Sequence, residues 1–126
     1  MPLRDQQRKN IEAREVFKRG NVIGDSRYSM YCKDLPSLLV FVTADLKIRA
    51  QRAHTMQKYP GKSVPEIEHI LEEREQDEVS IGKKLYGDKF DYRDAAHYGI
   101  ALNSGVLTVE EEVAIIEKTM MLRVRK

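Results

Sequence analysis

Residues 38–52, L-L-V-F-V-T-A-D-L-K-I-R-A-Q-R, constrain the fold of this chain more than any other segment. Residues 38–43 are apolar or β-branched throughout, which is typical of a strand covered on both faces in a parallel sheet. Asp45 then opens a helical segment that carries Arg49 and Arg52, three residues apart. This order predicts two cations near the carboxyl end of a strand, where polyanionic ligands of open α/β sheets bind.

The rest of the chain continues the alternation of helix and strand. Two capping boxes, Ser63 with Glu66 and Thr108 with Glu111, mark helix starts. Strands are predicted over 21–25, 38–43 and 98–103. Helices are predicted over 4–19, over 45–59, from 63 towards 86, and from 108 onward. The last helix has an apolar face formed by Val109, Val113, Ile116 and Met120. We therefore expect an α/β fold with a short, mostly parallel sheet of about three strands flanked by helices.

Composition indicates a soluble, cytoplasmic protein of one domain. The chain has 126 residues, of which 33% are charged with both signs interspersed. A single cysteine, Cys32, excludes an internal disulfide framework, and no apolar run approaches the ~20 residues that span a bilayer. The start of the sequence lacks the apolar core of a signal peptide. Basic residues concentrate near both ends without interleaved aromatic residues, which favours solvated ends over nucleic-acid contacts.

Gly61-Lys62-Ser63 looks like the end of a phosphate-binding loop, but its context argues against that role. The phosphate-loop motif needs a glycine where Met56 stands and a strand before it, whereas the preceding segment is predicted to be helical. We expect Gly61 to end one helix and Ser63 to cap the next. His69 and Glu73 have chelating helical spacing, but without further ligands nearby an exposed histidine is favoured over a metal site.

Three segments in this order resemble the later part of the cytidylate kinases, which are P-loop nucleoside monophosphate kinases. They are residues 20–27, G-N-V-I-G-D-S-R, residues 72–81, E-E-R-E-Q-D-E-V-S-I, and residues 91–116, D-Y-R-D-A-A-H-Y-G-I-A-L-N-S-G-V-L-T-V-E-E-E-V-A-I-I. The last segment is the strongest match. The resemblance covers most of the chain and implies a partial three-layer kinase fold with a lid-like helical segment at about 49–87.

The resemblance also implies roles for particular residues. Arg27 would bind the phosphate of the monophosphate substrate beside Asp25, although Ser26 and Tyr28 depart from the family pattern there. Arg74 and Glu78 correspond to residues of the lid. Ile81 stands where the family has a second lid arginine.

Further roles by resemblance concern the strand ends. Arg49 and Arg52 would lie at the base of the lid and assist phosphate binding. Asn103 and Ser104 would border the base of ATP. ATP and Mg²⁺ are thus implied as cofactors, by the resemblance alone and not by any motif of this sequence.

The phosphate loop of the family, with its lysine and its central strand, has no counterpart in this sequence. Two outcomes are then open. The strands at 21–25 and 38–43 pair directly with each other, or exposed strand edges are covered by a second copy or by a partner chain, which is the outcome we favour. The resemblance implies ATP-dependent phosphorylation of CMP or dCMP as the ancestral activity, with none expected from this chain alone. The alternative is a non-catalytic remnant that binds a nucleotide or oligomerises. Nucleic-acid contact through the basic ends is a third, disfavoured reading.

Overall fold

The computed structural model describes residues 3–25, 32 and 34–124 and confirms the α/β class. Two short strands pair in parallel, in the register Val40↔Ile100 to Thr43↔Asn103. The elements in chain order are α1 (Leu3–Lys18), β1 (Val40–Thr43), α2 (Leu46–Thr55), α3 (Val64–Tyr86), a 3-10 turn (Ala95–His97), β2 (Ile100–Asn103) and α4 (Val109–Val124). Within the described residues no helix combines the length and the hydropathy needed to cross a membrane.

The prediction of a strand over residues 21–25 is wrong. These residues take no part in the sheet, so the described sheet has two strands rather than about three. Gly20 and Asn21 both adopt positive φ angles, 76° and 55°, which turn the chain as it leaves α1. Ile23, the residue that made the segment look like a strand, is fully exposed. Helix α1 ends at Lys18, one residue before its predicted end at residue 19.

The chain divides into two compact units, and the division falls within α3. The first unit comprises Met1–Leu39 and Asp77–Gly99, and the second comprises Val40–Gln76 and Ile100–Lys126. The second unit therefore holds both strands, α2, the start of α3 and α4. The single domain expected from chain length remains a prediction.

The core of the second unit lies between α2 and the first turns of α3. Ala50 and Ile67 are completely buried and Ala53 is nearly so. The two alanines present no bulk beyond Cβ, and this lets the isoleucine of α3 pack against α2. The partly buried residues around them are Tyr59, Val64 and Leu71.

The turn between α2 and α3 confirms that Gly61-Lys62-Ser63 has a structural role. Gly61 adopts a φ of +78°, which favours glycine. The backbone N–H of Glu66 donates to Ser63 Oγ at 3.3 Å, and Ser63 Oγ donates to the Glu66 carboxylate at 3.1 Å. The hydrogen bonds that Ser63 donates to the Glu66 carboxylate, from Oγ and from its backbone N–H, lower the pKa of Glu66. Ser63 thus caps α3 as predicted. Helix α2 ends earlier than predicted, at Thr55, and Gln57 adopts a φ of 53°, so Gly61 lies in the turn between the two helices and does not end α2.

Helix α4 begins at the second predicted capping box. The backbone N–H of Glu111 donates to Thr108 Oγ1 at 3.1 Å, and the N–H of Thr108 donates to the Glu111 carboxylate at 2.9 Å. The predicted apolar face is present, but most of it is open to solvent. Val109 is 70% exposed, Val113 46% and Met120 45%. Of the four members, only Ile116 is half-buried.

The core of the first unit is aromatic. Phe90 is buried, and its ring centroid lies 4.8 Å from that of Tyr86. Asn10 of α1 is also buried and donates to the Tyr86 hydroxyl at 2.6 Å, which ties α1 to the end of α3. The other residues packed on Phe90 are Ile81, Tyr92 and Tyr98. Ile81, which stands where the family has an arginine, is therefore a packing residue here.

Candidate functional site

The candidate site lies at the carboxyl ends of β1 and β2. Because the two strands are parallel, both end at the same edge of the sheet, at the pair Thr43↔Asn103. The chain after β1 enters α2 within three residues, and the chain after β2 enters a tight turn. Arg49 and Arg52 of α2 are thereby brought to the edge where Ser104 begins the turn.

Arg52 clamps the turn that follows β2. Its Nη2 donates to the carbonyl oxygen of Ser104 at 2.7 Å, and its Nη1 donates to Ser104 Oγ at 3.0 Å. Ser104 in turn donates twice to the carbonyl of Thr43, from its backbone N–H at 2.8 Å and from Oγ at 3.1 Å. One arginine and one serine thus fasten the ends of the two strands to each other and to α2.

The turn itself is compact and close to α2. Asn103 Oδ1 accepts from the backbone N–H of Gly105 at 2.9 Å, and its carbonyl accepts from Val106 and Leu107. A Cβ added to Gly105 would lie 2.9 Å from Ile48 Cδ1 and 3.1 Å from Asn103 Oδ1. A side chain at position 105 would therefore force the ends of the Ile48 and Asn103 side chains to shift, so α2 packs closely against the turn.

Arg49 is held differently from Arg52. Its Nε donates to the carbonyl of Ala44 at 2.9 Å, and its Nη1 donates to Glu75 Oε2 at 3.1 Å. The side chain of Arg49 is 38% exposed and that of Glu75 is 22% exposed, so the ion pair is partly shielded from water. Sequence reasoning passed over Glu75, since it lies in a run of charged residues and nothing in that run distinguishes it.

The other residues that the resemblance singled out are distributed between the two units. Arg74 is an exposed residue of α3 in the second unit, whereas Asp25 is exposed in the first unit. Glu78, also in the first unit, accepts a hydrogen bond from the Tyr92 hydroxyl at 3.1 Å. Arg27 lies outside the described residues. The structure thus brings together four of the predicted site residues, which are Arg49, Arg52, Asn103 and Ser104.

Tyr98 illustrates how the segment before β2 is fixed. Its hydroxyl donates to the carbonyl of Tyr92 at 2.7 Å, and the following residue, Gly99, donates from its N–H to the carbonyl of Leu39 at 2.9 Å. Burial, with a smaller contribution from the charge of Asp91, raises the pKa of Tyr98 to about 12. This tyrosine therefore serves as a neutral hydrogen-bond donor that anchors the chain as it enters the sheet.

The described residues do not provide an obvious metal centre. Among them, no three His, Cys, Asp or Glu side chains lie close enough together to hold an ion. His69 pairs with Glu73 at 3.0 Å, and both side chains are largely exposed. The Mg²⁺ ion that the resemblance implies stays a prediction, because Mg²⁺ in such sites is held by few protein ligands together with substrate phosphates.

Comparison with known proteins supports a relationship to kinases. The chain is similar to the cytidylate kinase of Methanopyrus kandleri, with 27% identity over 114 residues. The match covers 82% of this chain and 56% of that kinase, so the chain spans about half the length of the curated relative it matches. No family model matches the chain. No solved structure matches it. The similarity, together with the α/β fold, indicates a kinase-like origin for the chain.

Proposed function

We propose that the carboxyl edge of β1 and β2 binds the phosphate groups of a nucleotide in a cytidylate-kinase-like protein. The observation that carries this proposal is the placement of two guanidinium groups, those of Arg49 and Arg52, at one edge of a parallel sheet. Guanidinium groups bind phosphate oxygens through paired N–H donors, and strand ends of open α/β sheets are where such ligands bind. The similarity to a cytidylate kinase supports a nucleotide as the ligand.

The remaining residues take the following roles in this proposal. By the resemblance, Arg27 and Asp25 would bind the phosphate of CMP or dCMP, and Arg74 and Glu78 would contact the substrate. These roles stay predictions, since Arg27 lies outside the described residues and Arg74 belongs to a different unit from Asp25 and Glu78. The turn at Asn103 and Ser104 borders the base of ATP. ATP and Mg²⁺ stay implied by the resemblance alone, and no step of the proposal runs through a metal.

Phosphoryl transfer depends mainly on positioning and on neutralising the charge of the phosphates. This sequence contains no phosphate-loop motif to do so. We therefore expect the chain to bind CMP or ATP without transferring phosphate on its own. In the proposed role it is a nucleotide-binding protein of kinase origin.

The test is calorimetry with CMP and with ATP at low ionic strength, together with a coupled assay for ATP-dependent CMP phosphorylation. We expect binding, and a turnover no higher than the background. Arg52→Gln should weaken binding at least about tenfold, because a charged hydrogen-bonding partner of the phosphate is lost. Lys47→Gln, an equal loss of charge at an exposed position of the same helix, should change the affinity less than about twofold.

Two results would contradict the proposal. If neither nucleotide binds at millimolar concentration, the proposal that this sheet edge binds a nucleotide is wrong. Turnover well above background would show that this chain transfers phosphate without a recognisable phosphate loop. The first result would favour the second candidate function, an oligomerising remnant.

The observation that favours this second candidate is apolar exposure in the second unit. Val42 of β1 is 52% exposed, and six large apolar side chains of α4 are exposed. A two-stranded sheet with open edges rarely persists alone in water. We propose that a second copy or another chain covers these surfaces. Light scattering coupled to size-exclusion chromatography, over a range of protein concentrations, distinguishes self-association from a monomer that needs a different partner.

A further inference from the structure

The ion pair between Arg49 and Glu75 lies at the proposed phosphate site itself. The Nε of Arg49 is fixed by the carbonyl of Ala44, the first residue after β1, so its guanidinium stays at the strand end. The adjacent Nη1 donates to Glu75 Oε2 at 3.1 Å. The donors nearest the sheet edge are thus already matched with the backbone and with a carboxylate.

A carboxylate and a phosphate use a guanidinium group in the same way. Both present two oxygens to its N–H donors, and both neutralise its charge. The side chain of Glu75 is 22% exposed, so its charge is less screened than that of a fully exposed residue. A phosphate approaching Arg49 therefore meets a carboxylate that already accepts from one of its guanidinium nitrogens, Nη1.

We propose that Glu75 is an internal occupant of the anion site, which an incoming phosphate displaces from Arg49. The proposal rests on the proposed function of this sheet edge as a phosphate site. Glu75 then sets the affinity of the site, because each binding event must break the Arg49–Glu75 pair and bring the ligand close to the carboxylate. The repulsion grows with the charge of the ligand, so Glu75 disfavours polyphosphates more strongly than monophosphates.

This inference separates Glu75 from a purely structural ion pair. If the pair only fastens α3 to α2, neutralising Glu75 loosens the site and weakens anion binding or leaves it unchanged. If Glu75 competes with the ligand, neutralising it strengthens binding. The gain should be larger for pyrophosphate than for inorganic phosphate. A loss of rigidity would not produce that dependence on ligand charge.

The experiment is calorimetry of the full chain with inorganic phosphate, pyrophosphate, CMP and ATP at low ionic strength. Glu75→Gln keeps the size of the side chain and its ability to accept from Arg49, and Glu75→Ala removes both. We expect either variant to bind pyrophosphate about three- to tenfold more tightly than the unaltered chain, with a smaller gain for phosphate. The gain should disappear when Arg49→Gln is combined with Glu75→Gln.

Glu73→Gln is the matched control. It removes the same charge from the same helix, but Glu73 is 65% exposed and pairs with His69. We expect it to change the affinity for pyrophosphate less than about twofold, because its charge is screened by water. Circular dichroism of all variants verifies that α3 is intact.

The outcomes distinguish this inference from the function on which it rests. If the unaltered chain binds nucleotides and neutralising Glu75 does not tighten binding, Glu75 is a structural partner and the inference is wrong. If the Glu75 variants bind pyrophosphate more tightly but no form binds CMP or ATP, the inference holds and the nucleotide function fails. If no form binds any of the four anions, both are wrong.

Discussion

Ile67 offers the most direct test of the packing on which the candidate site depends. It is the largest fully buried side chain among the described residues, at 0% exposure, and it packs against Ala50 and Ala53 of α2. Ile67→Ala removes three carbon groups, each worth about 0.8 kcal/mol of burial, or about 2.4 kcal/mol together. The cavity left behind adds roughly 1 kcal/mol, and the better helix propensity of alanine returns about 0.4 kcal/mol. We expect a net loss of about 3 kcal/mol.

The assay is urea denaturation followed by far-ultraviolet circular dichroism, with Ile67→Val as an intermediate step that should cost about 1 kcal/mol. Ile115→Ala is the matched control, since it makes the same replacement in a helix at a residue that is 38% exposed. The control should cost less than about 1 kcal/mol, because little apolar surface is lost from the interior.

Equal losses for the two alanine variants would refute this reasoning. Either Ile67 is then not the centre of the core, or Ile115 is buried in solution by another protein surface. Repeating the Ile115→Ala measurement at two protein concentrations separates these explanations, because stability that comes from association rises with concentration.

Three further predictions concern the strand ends and the cap of α4. In a double-mutant cycle of Arg52→Gln and Ser104→Ala, the coupling energy should be about 0.5–1 kcal/mol, because the hydrogen bond is charge-assisted but exposed. A coupling energy near zero would show that the Arg52–Ser104 hydrogen bond does not stabilise the strand ends. Thr108→Ala should lower the free energy of unfolding by about 1 kcal/mol, because the N-terminal cap of α4 is lost. The control, Thr119→Ala, removes only a hydroxyl that donates to the backbone of the same helix, and it should cost less than about 0.5 kcal/mol. Equal losses of stability would argue against the cap. Burial raises the pKa of Tyr98 from 10.0 to about 12, so the folded state holds this proton more tightly and its contribution to stability should be lost as the pH rises from about 10 to 12. Urea midpoints over that range should fall more steeply for the unaltered chain than for Tyr98→Phe, and parallel curves would show that Tyr98 does not contribute.

The local predictions that succeeded all depend on interactions between neighbours in sequence. Both capping boxes form as predicted, since a threonine or serine reaches a backbone N–H three residues ahead whatever surrounds the helix. The sequence predicted that no strand precedes Gly61, because the surrounding residues favour helices. Residues 38–43 were recognised as a strand because their apolar run is continuous, although the strand itself is shorter, at Val40–Thr43.

The predictions that failed or fell short depended on partners distant in sequence. Residues 21–25 have the composition of a strand, but a strand exists only where another segment pairs with it, and no segment among the described residues does. Ile81 was interpreted as a missing lid arginine, whereas in the structure it packs against Phe90. The role of Glu75 was invisible for the same reason, since Arg49 lies 26 residues away in sequence.

Sequence alone determined the helices, their caps, the two strands that pair, and the presence of cations after β1, because propensity and capping act over a few residues. Tertiary structure decided how those cations are used. Parallel pairing carries the ends of β1 and β2 to one edge, and this gives Arg52 a serine to clamp. The packing of α3 on α2 gives Arg49 a carboxylate instead. The two arginines therefore have different partners, set by contacts that no local pattern encodes.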